Sequence, residues 1–308
     1  MQPRLLLAKV EATEDTDAAP AAANAINTIG LSVKRYEGPK KTRELDRNVT
    51  GNQEQVNTAP YAEYAFQIEA AGSGAATTPP AYGPLLRGCG LSETVDAVTN
   101  MEVVYAADDT SQDSLTLWDY DPEADLLQKA TGCRGNLSFK MEKEGFPLFS
   151  FDQFKGTYNK PIQGSPPGGI DWSTFKDPLS AIKDNIPTFN LDGYAVAVQS
   201  FELNWGNQVP RLDMANYRST KVSDRQPSGS ITILAPKIQD KNFFTSLESH
   251  KGTVLIPFDL QVGVNAGEII KVSATQLQLL GMTEGETEKI RTYTLNFNLI
   301  DNPTLITK

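Results

Sequence analysis

The sequence predicts a mainly β protein with two tandem β domains and one short helix in each. Its 308 residues are enough for two domains of ordinary size. Apolar residues make up 39% and charged residues 21%, and the many uncharged polar side chains are more typical of sheets than of helical bundles. Segments that alternate apolar and polar residues recur in both halves, as half-buried strands do.

The opening 28 residues differ from the rest of the chain. They are rich in alanine and acidic side chains, and no helical or strand period persists in them. We therefore expect residues 1–28 to form an extended arm that crosses another surface. The apolar run near the start is too short for the core of a signal peptide. Candidates for contacts with another subunit in this arm are Glu14, Asp15 and Asp17.

Residues 29–160 are predicted to form the first β domain. Leu31–Tyr36 and Tyr61–Glu69 alternate cleanly and predict two strands. A short helix is expected at residues 84–89. Further strands are expected at residues 100–106, 114–120, 135–142 and 149–154.

A linker at residues 161–187 separates this domain from a second one at residues 188–308. The linker begins with a run of prolines and glycines, which breaks regular structure. A short helix is predicted within residues 240–250. Strands of the second domain are expected at residues 199–205, 229–234, 253–262, 268–280 and 289–300.

Both halves follow the same order of strand, polar excursion, strand, short helix and further strands. We interpret this order as an internal duplication. Two different β domains in a row remain the alternative, because the sequence identity between the halves is faint.

The two polar excursions are unusually long for loops of a compact domain, and such loops are often functional. The first polar excursion covers residues 37–60 and the second covers residues 206–228. Each is either a solvated loop or a contact with an acidic surface on another copy. Candidate contact residues are Lys40, Lys41, Arg43 and Arg47 in the first excursion, and Arg211, Arg218 and Arg225 in the second.

We predict no catalytic, cofactor or metal site. The single histidine, His250, is interpreted as a cap near the end of a short helix. Cys89 and Cys133 are far apart and are expected to be buried and reduced. The acidic stretch at residues 118–125 lacks the glycine and final glutamate of an EF-hand loop and is expected to be a turn between strands.

The charge and hydropathy exclude two further classes. A net charge of -10 is opposite in sign to what a sequence-specific DNA-binding protein needs. No stretch reaches the roughly 20 apolar residues of a membrane-spanning helix, so we expect no membrane association.

Three segments resemble the tail tube proteins, also called major tail proteins, of long, non-contractile-tailed phages, especially the Mu-like ones. They are the acidic opening at residues 8–26, the charged segment at residues 37–49 followed by an aromatic strand, and residues 66–94. In the last of these a strand ends in a Gly-x-Gly loop, followed by Pro-x-x-Gly-x-Leu-Leu-x-x-Cys-Gly. The likeness is specific over residues 5–95 and rests on architecture elsewhere.

The resemblance implies that both domains are tail-tube-type β-sandwiches or half-barrels, and that neighbouring subunits complete an inner β-barrel. A duplicated chain would form a homotrimeric ring with pseudo-sixfold symmetry, with a homohexamer as the alternative. The rings would stack into the tail tube of a virion, assembled in the host cytoplasm. The family's other partners are the tape measure protein and the tail terminator and tip proteins.

In this view the protein is no enzyme, and DNA passes through the lumen without specific binding, because acidic side chains on the wall repel it at short range. Two other functions remain open. One is a virion-associated glycan-degrading enzyme, for which a pair of carboxylates in a cleft would be needed. The other is a β-rich adhesin at the tail tip.

Overall fold

A computed structural model describes residues 4–250 and 252–308 of the chain. The first three residues of the predicted arm, and Lys251 after the predicted second helix, lie outside the described residues. Strands hold 50% of the residues and helices 6%, so the prediction of a mainly β protein is confirmed.

The first half contains twelve strands and one α-helix among its described residues. These are β1 (Leu5–Val10), β2 (Ala25–Ile26), β3 (Ile29–Glu37), β4 (Lys40–Thr42), β5 (Gln55–Asn57), β6 (Tyr61–Glu69), α1 (Gly83–Gly88), β7 (Leu91–Asp96), β8 (Glu102–Ala107), β9 (Leu115–Asp121), β10 (Leu126–Glu142), β11 (Leu148–Tyr158) and β12 (Ile162–Gln163).

The second half, as far as it is described, also contains twelve strands and one α-helix. These are β13 (Thr188–Leu191), β14 (Tyr194–Ala195), β15 (Val198–Asn204), β16 (Asn207–Gln208), β17 (Arg211–Met214), β18 (Tyr217–Thr220), β19 (Asp224–Arg225), β20 (Ser228–Leu234), α2 (Phe243–Leu247), β21 (Leu255–Val262), β22 (Ile270–Thr287), β23 (Ile290–Leu299) and β24 (Thr304–Thr307). Single 3-10 turns lie at Ala22–Asn24 and Trp172–Thr174.

The two halves repeat one antiparallel strand order. Neighbouring strands run β2-β1-β9-β10-β11-β6-β3 in the first half and β14-β13-β21-β22-β23-β20-β15 in the second. The short helix follows β6 in one half and β20 in the other. In addition, β12 pairs with the start of β10 just as β24 pairs with the start of β22. The similarity that the sequence predicts between the halves is therefore present in their strand order.

One element breaks the repetition. The β7–β8 hairpin lies between α1 and β9, and no such hairpin lies between α2 and β21 among the described residues. Through β8 this hairpin pairs with β24, so that Tyr105 lies opposite Leu305. The final strand of the chain is thus covered by a part of the first half.

The two halves are also joined in the middle of the sheet, where β10 pairs with β15. A single hydrophobic core extends under this junction and draws buried side chains from both halves. Phe201 lies at its centre and is 1% exposed. Its ring centroid is 6.1 Å from that of Phe139 in the first half, and 5.4 Å and 5.8 Å from those of Phe189 and Phe258 in the second.

Part of the segment that was predicted to be an extended N-terminal arm forms a strand of the sheet instead. Leu5–Val10 is a strand that pairs along its whole length with β9, and Leu6 and Leu7 are 0% exposed. A run of apolar residues that is buried on both faces shows no alternation, and its period therefore gave no signal of a strand. Residues 11–24 lie against the chain's own surface, through contacts described below.

Other elements extend or correct the sequence-based prediction. The strands β7 and β24 were not expected, and both polar excursions contain short antiparallel strand pairs, β4–β5 in the first and β16–β19 and β17–β18 in the second. The two short helices are confirmed. The second ends at Leu247 with Glu248 as its C-cap, so the interpretation of His250 as a cap is wrong.

Removing the ring at the centre of the shared core should destabilise both halves. We expect Phe201→Ala to lower the free energy of unfolding by about 3–5 kcal/mol, because it leaves a cavity among four aromatic rings. The matched control is Phe146→Ala, since Phe146 is 54% exposed. Urea denaturation would measure both. Equal unfolding midpoints for the two variants would contradict a core shared across the junction.

Candidate assembly surfaces

The second polar excursion is fastened to the first half by buried polar contacts. The guanidinium of Arg225 is 4% exposed, donates to the carbonyl oxygen of Gly90 and forms an ion pair with Asp109, with 2.6 Å between Nη1 and Oδ1. Asn207 donates from Nδ2 to the carbonyl oxygens of Cys89, at 2.8 Å, and Gly135, at 3.0 Å. The first half therefore holds this excursion in place, and Arg225 is enclosed by its own chain.

The other two arginines of the second excursion lie nearer the surface. Arg211 is half-buried, and its Nη2 lies 3.3 Å from the hydroxyl of Thr157 on β11. Arg218 is exposed on the β17–β18 hairpin and pairs with Asp213 at 3.2 Å. Contacts of these side chains with another subunit remain a prediction.

The three candidate carboxylates of the N-terminal segment bind side chains of their own chain. Glu14 accepts from Arg134 at 2.8 Å and also from the hydroxyl of Ser219 in the second excursion. Asp15 accepts from the hydroxyl of Thr131 at 2.7 Å. Asp17 accepts from Lys129 at 3.2 Å and from the indole of Trp118 at 3.0 Å. These bonds explain why residues 11–24 follow the chain's own surface.

A fourth carboxylate, which the sequence analysis did not single out, anchors the same segment. Glu11 is 7% exposed and accepts from the hydroxyls of Ser114 and Thr116 at 2.6 Å and 2.9 Å, and from the backbone amide of Gly132 at 2.8 Å. A buried carboxylate is tolerated only with such partners. The partners lie more than a hundred residues away, and the sequence alone gives no signal of them.

A buried charge cluster, likewise missed, holds the two ends of the first-half sheet together. Asp119 on β9 is buried and pairs with Arg35 on β3 at 2.7 Å and with Arg4, just before β1, at 3.0 Å. Burial raises the pKa of Asp119, whereas the two arginines lower it. These ion pairs link β3, at one end of the strand order, to β9 and to the residue that precedes β1, near the other end.

The first polar excursion, in contrast, projects into solvent. Every residue from 39 to 52 is exposed, including the candidates Lys40, Lys41 and Arg47. Arg43 pairs with Glu54 across the hairpin at 2.9 Å, and both side chains are more than half exposed. Its apolar side chains are exposed as well, among them Leu45 at 44% and Val49 at 68%. An exposed surface that mixes basic and apolar side chains is suited to contact a partner.

Among the open strand edges of the described residues, two correspond by strand order to the edges that β10 and β15 join. The last part of β22, residues 281–287 (the β22 tail), extends beyond β21, and only β23 pairs with it among the described strands. Four residues in a row, 283–286, are exposed there. In the part of the chain that the structure describes, β3 likewise pairs with β6 alone, although side chains of Arg4 and Gln128 reach two of its carbonyl oxygens. Unpaired edges of this kind readily pair with another chain.

Two kinds of reactive group, thiols and metal-ligand clusters, can be assessed on the described residues. Cys89 and Cys133 are buried free thiols, as predicted, and burial raises the pKa of both, which keeps them unreactive. No group of three or more His, Cys, Asp or Glu side chains there could hold a metal ion. Neither described helix is long and apolar enough to cross a membrane. The acidic stretch after β9 is a turn, as predicted. It ends where β10 starts, at Leu126.

Compared with protein-family models and with curated protein sequences, the chain matches none of them. Its function must therefore be argued from its own residues.

Acid should release the contact between the N-terminal segment and the second excursion. Partial burial opposes the charge of Glu14, but the bonds from Arg134 and Ser219 outweigh it, and its pKa lies below the ordinary value. A lowered carboxyl pKa stabilises the fold above the unfolded-state pKa, and this stabilisation is lost as the pH falls through the folded-state pKa. Because Glu14 is about one-third exposed, we expect a loss of under about 1 kcal/mol.

Amide hydrogen exchange of residues 11–24, followed from neutral pH down to about pH 3, measures this effect. Protection should fall in the wild type, whereas Glu14→Gln should show low protection throughout. Equal pH dependence in both proteins would contradict the assignment.

Proposed function

We propose that this chain is a structural virion protein, the tail tube subunit of a long-tailed phage, and that it acts by assembling with copies of itself. Two tandem tube-type domains, joined by the linker at 161–187, would each supply one unit of the tube wall. The first, predicted at residues 29–160, also takes in β1 and β2 from the predicted arm, and the second lies at residues 188–308. Three chains would then form a ring with pseudo-sixfold symmetry. One observation carries this proposal. The junction between β10 and β15 is filled within the chain, whereas the two strand edges that correspond to it, on the β22 tail and on β3, are open.

The filled junction is the ladder between β10 and β15. Its register sets Ser138 opposite Asn204 and Glu142 opposite Ser200. Backbone bonds extend it at both ends, from Trp205 N to Leu137 O at 2.9 Å and from Lys143 N to Gln199 O at 2.7 Å. In this ladder the tail of β10 in one repeat binds the outer edge of β15, the last strand across the sheet of the next repeat.

The same two surfaces recur unfilled at the ends of the chain. The β22 tail is the counterpart of the paired part of β10, because both follow the point where the strand leaves its earlier neighbour, β21 or β9. By the same strand order, β3 is the counterpart of β15. In the paired part of β10, Ser138, Phe139 and Met141 are buried, whereas residues 283–286 of β22 are all exposed. The β22 tail of one copy therefore fits the β3 edge of the next.

A contact between two different surfaces of identical chains is heterologous, and it closes into a ring when the rotation permits. Three two-repeat chains would alternate internal junctions with junctions between copies, which gives the wall its pseudo-sixfold symmetry. Glu284 and Glu286 on the β22 tail would approach Lys34 on β3, whose ammonium already pairs with Glu63 at 2.7 Å and would then be shared between carboxylates of two chains. Closure would also remove both open edges.

The remaining parts of the proposal follow from a tube made in this way. A net charge of -10 per chain would keep DNA from adhering to the wall as it passes. The tape measure, tail terminator and tip proteins would be further partners, and the assembled protein would reside in the virion tail. No observation on the described residues favours the glycan-degrading enzyme or the adhesin over this function.

Reversing the charge of the β22 tail should block assembly. We expect purified wild-type protein to form rings or tubes under the electron microscope as its concentration rises, and Glu284→Lys/Glu286→Lys to remain monomeric with an unchanged circular dichroism spectrum. The matched control is Glu123→Lys/Asp184→Lys, which changes the net charge equally at exposed sites away from both open edges.

Normal tubes from the β22 variant would contradict the edge contact. A wild-type protein that stays monomeric at every concentration would contradict the function itself, and turnover of glycans by that monomer would favour the enzyme.

A further inference from the structure

The two polar excursions are counterparts in the repeated strand order, and they have opposite environments. The segments between the paired strands, residues 38–60 and 205–227, are equal in length. Both end in a proline, and a Leu-Asp pair stands at the same distance before it, at Leu45–Asp46 and at Leu212–Asp213. Yet Val209 and Val222 of the second excursion are 4% and 6% exposed, whereas Val49 and Val56 of the first are 68% and 49% exposed.

What buries the second excursion is the first half of the chain. Three places receive it: the end of α1 at Cys89 and Gly90, the middle of β10 at Gly135, and the end of β11, where Lys155 donates to the carbonyl oxygen of Val209 at 3.2 Å. All three lie on the repeat whose β10 tail binds β15. The second excursion therefore packs against the first repeat. The strand that precedes the excursion, β15, is joined to the same repeat through β10.

The second half has the same three places, and they are uncovered. They are the end of α2 at Glu248 and Ser249, the middle of β22 at Leu280 and Gly281, and the end of β23 at Ile300. The register slips at Gly281 of β22 as it does between Arg134 and Asn136 of β10, which identifies the two positions as counterparts. Leu280 is 55% exposed where its counterpart Gly135 is buried, and Glu248 and Ser249 are exposed where Cys89 and Gly90 are buried.

We infer that the first polar excursion of one copy covers the second half of the neighbouring copy in the same ring, at the end of α2, the middle of β22 and the end of β23. The occupant is a second copy of this chain, and the arrangement repeats between chains what the second excursion does within one. This inference rests on the proposed ring, and it assigns the excursion to a neighbour within the ring, where the sequence analysis named only an acidic surface on another copy.

The chemistry of the two surfaces is complementary. The excursion presents Lys40, Lys41, Arg43 and Arg47 together with exposed apolar side chains. The receiving surface presents exposed Leu280 and Ile300, flanked by the carboxylates of Glu248, Glu284 and Glu286. Apolar groups would be buried at the centre of the contact and opposite charges would meet at its rim.

Site-specific photo-cross-linking in assembled tubes tests the inference. A benzophenone amino acid in place of Leu45 should link to peptides that contain residues 243–250, 279–286 or 298–302 of another copy. The matched control places it at Leu212, the counterpart position, where links should form within one chain to its first half. A second readout is Leu280→Cys, whose thiol should react with maleimide in the monomer and lose this reactivity in tubes. The native Cys89 and Cys133 are buried and give no background.

The outcomes separate the two proposals. Links from position 45 to the second half, together with a protected Cys at position 280, support the inference. Tubes that form while position 45 links to other peptides, or while the thiol at position 280 stays reactive, overturn the inference and leave the proposed function standing. If no tubes form under any condition, both fail.

Discussion

The structure depends on the backbone ladder between β10 and β15. It joins the two repeats into one sheet, and beneath it Phe139 of one repeat meets Phe201 of the other, so the repeats share one core. An unpaired strand edge is a liability for any sheet, because it can pair with another chain. The ladder removes two such edges inside the chain. The strand order that builds it also fixes where the two corresponding open edges lie, on β3 and on the β22 tail.

Charge distribution distinguishes the surfaces that the chain uses internally from those that it leaves exposed. Glu11, Arg134 and Arg225 fix the N-terminal segment and the second excursion through buried, hydrogen-bonded contacts, to which Glu14, about one-third exposed, adds its bonds to Arg134 and Ser219. Such contacts are costly to break, because one partner is left buried and unpaired. The first excursion has only the exposed pair of Arg43 and Glu54, and pairs of that kind contribute little. It can therefore exchange its intramolecular contacts for contacts with a partner at small cost.

Local pattern was enough to predict both helices and most strands of six or more residues, but not the short strands. Tyr61–Glu69 alternates strictly, and its strand has those bounds. The pattern failed where both faces are buried, as in Leu5–Val10, and where a strand forms through distant partners, as in Thr304–Thr307, whose neighbours are β22 and β8. For the candidate residues, sequence identified the charged positions. It could not separate enclosed Arg225 from exposed Arg47, because that difference depends on Gly90, Asn207 and Asp109 elsewhere in the chain.

Cryo-electron microscopy of the assembled protein, at a resolution that separates strands, tests the central claim most directly. The account predicts rings of three chains with six near-equivalent domains, in which the β22 tail of each chain forms an antiparallel ladder with β3 of the next, as β10 does with β15. Rings in which the β22 tail and β3 do not pair, or particles of single chains with both edges exposed to solvent, would contradict it.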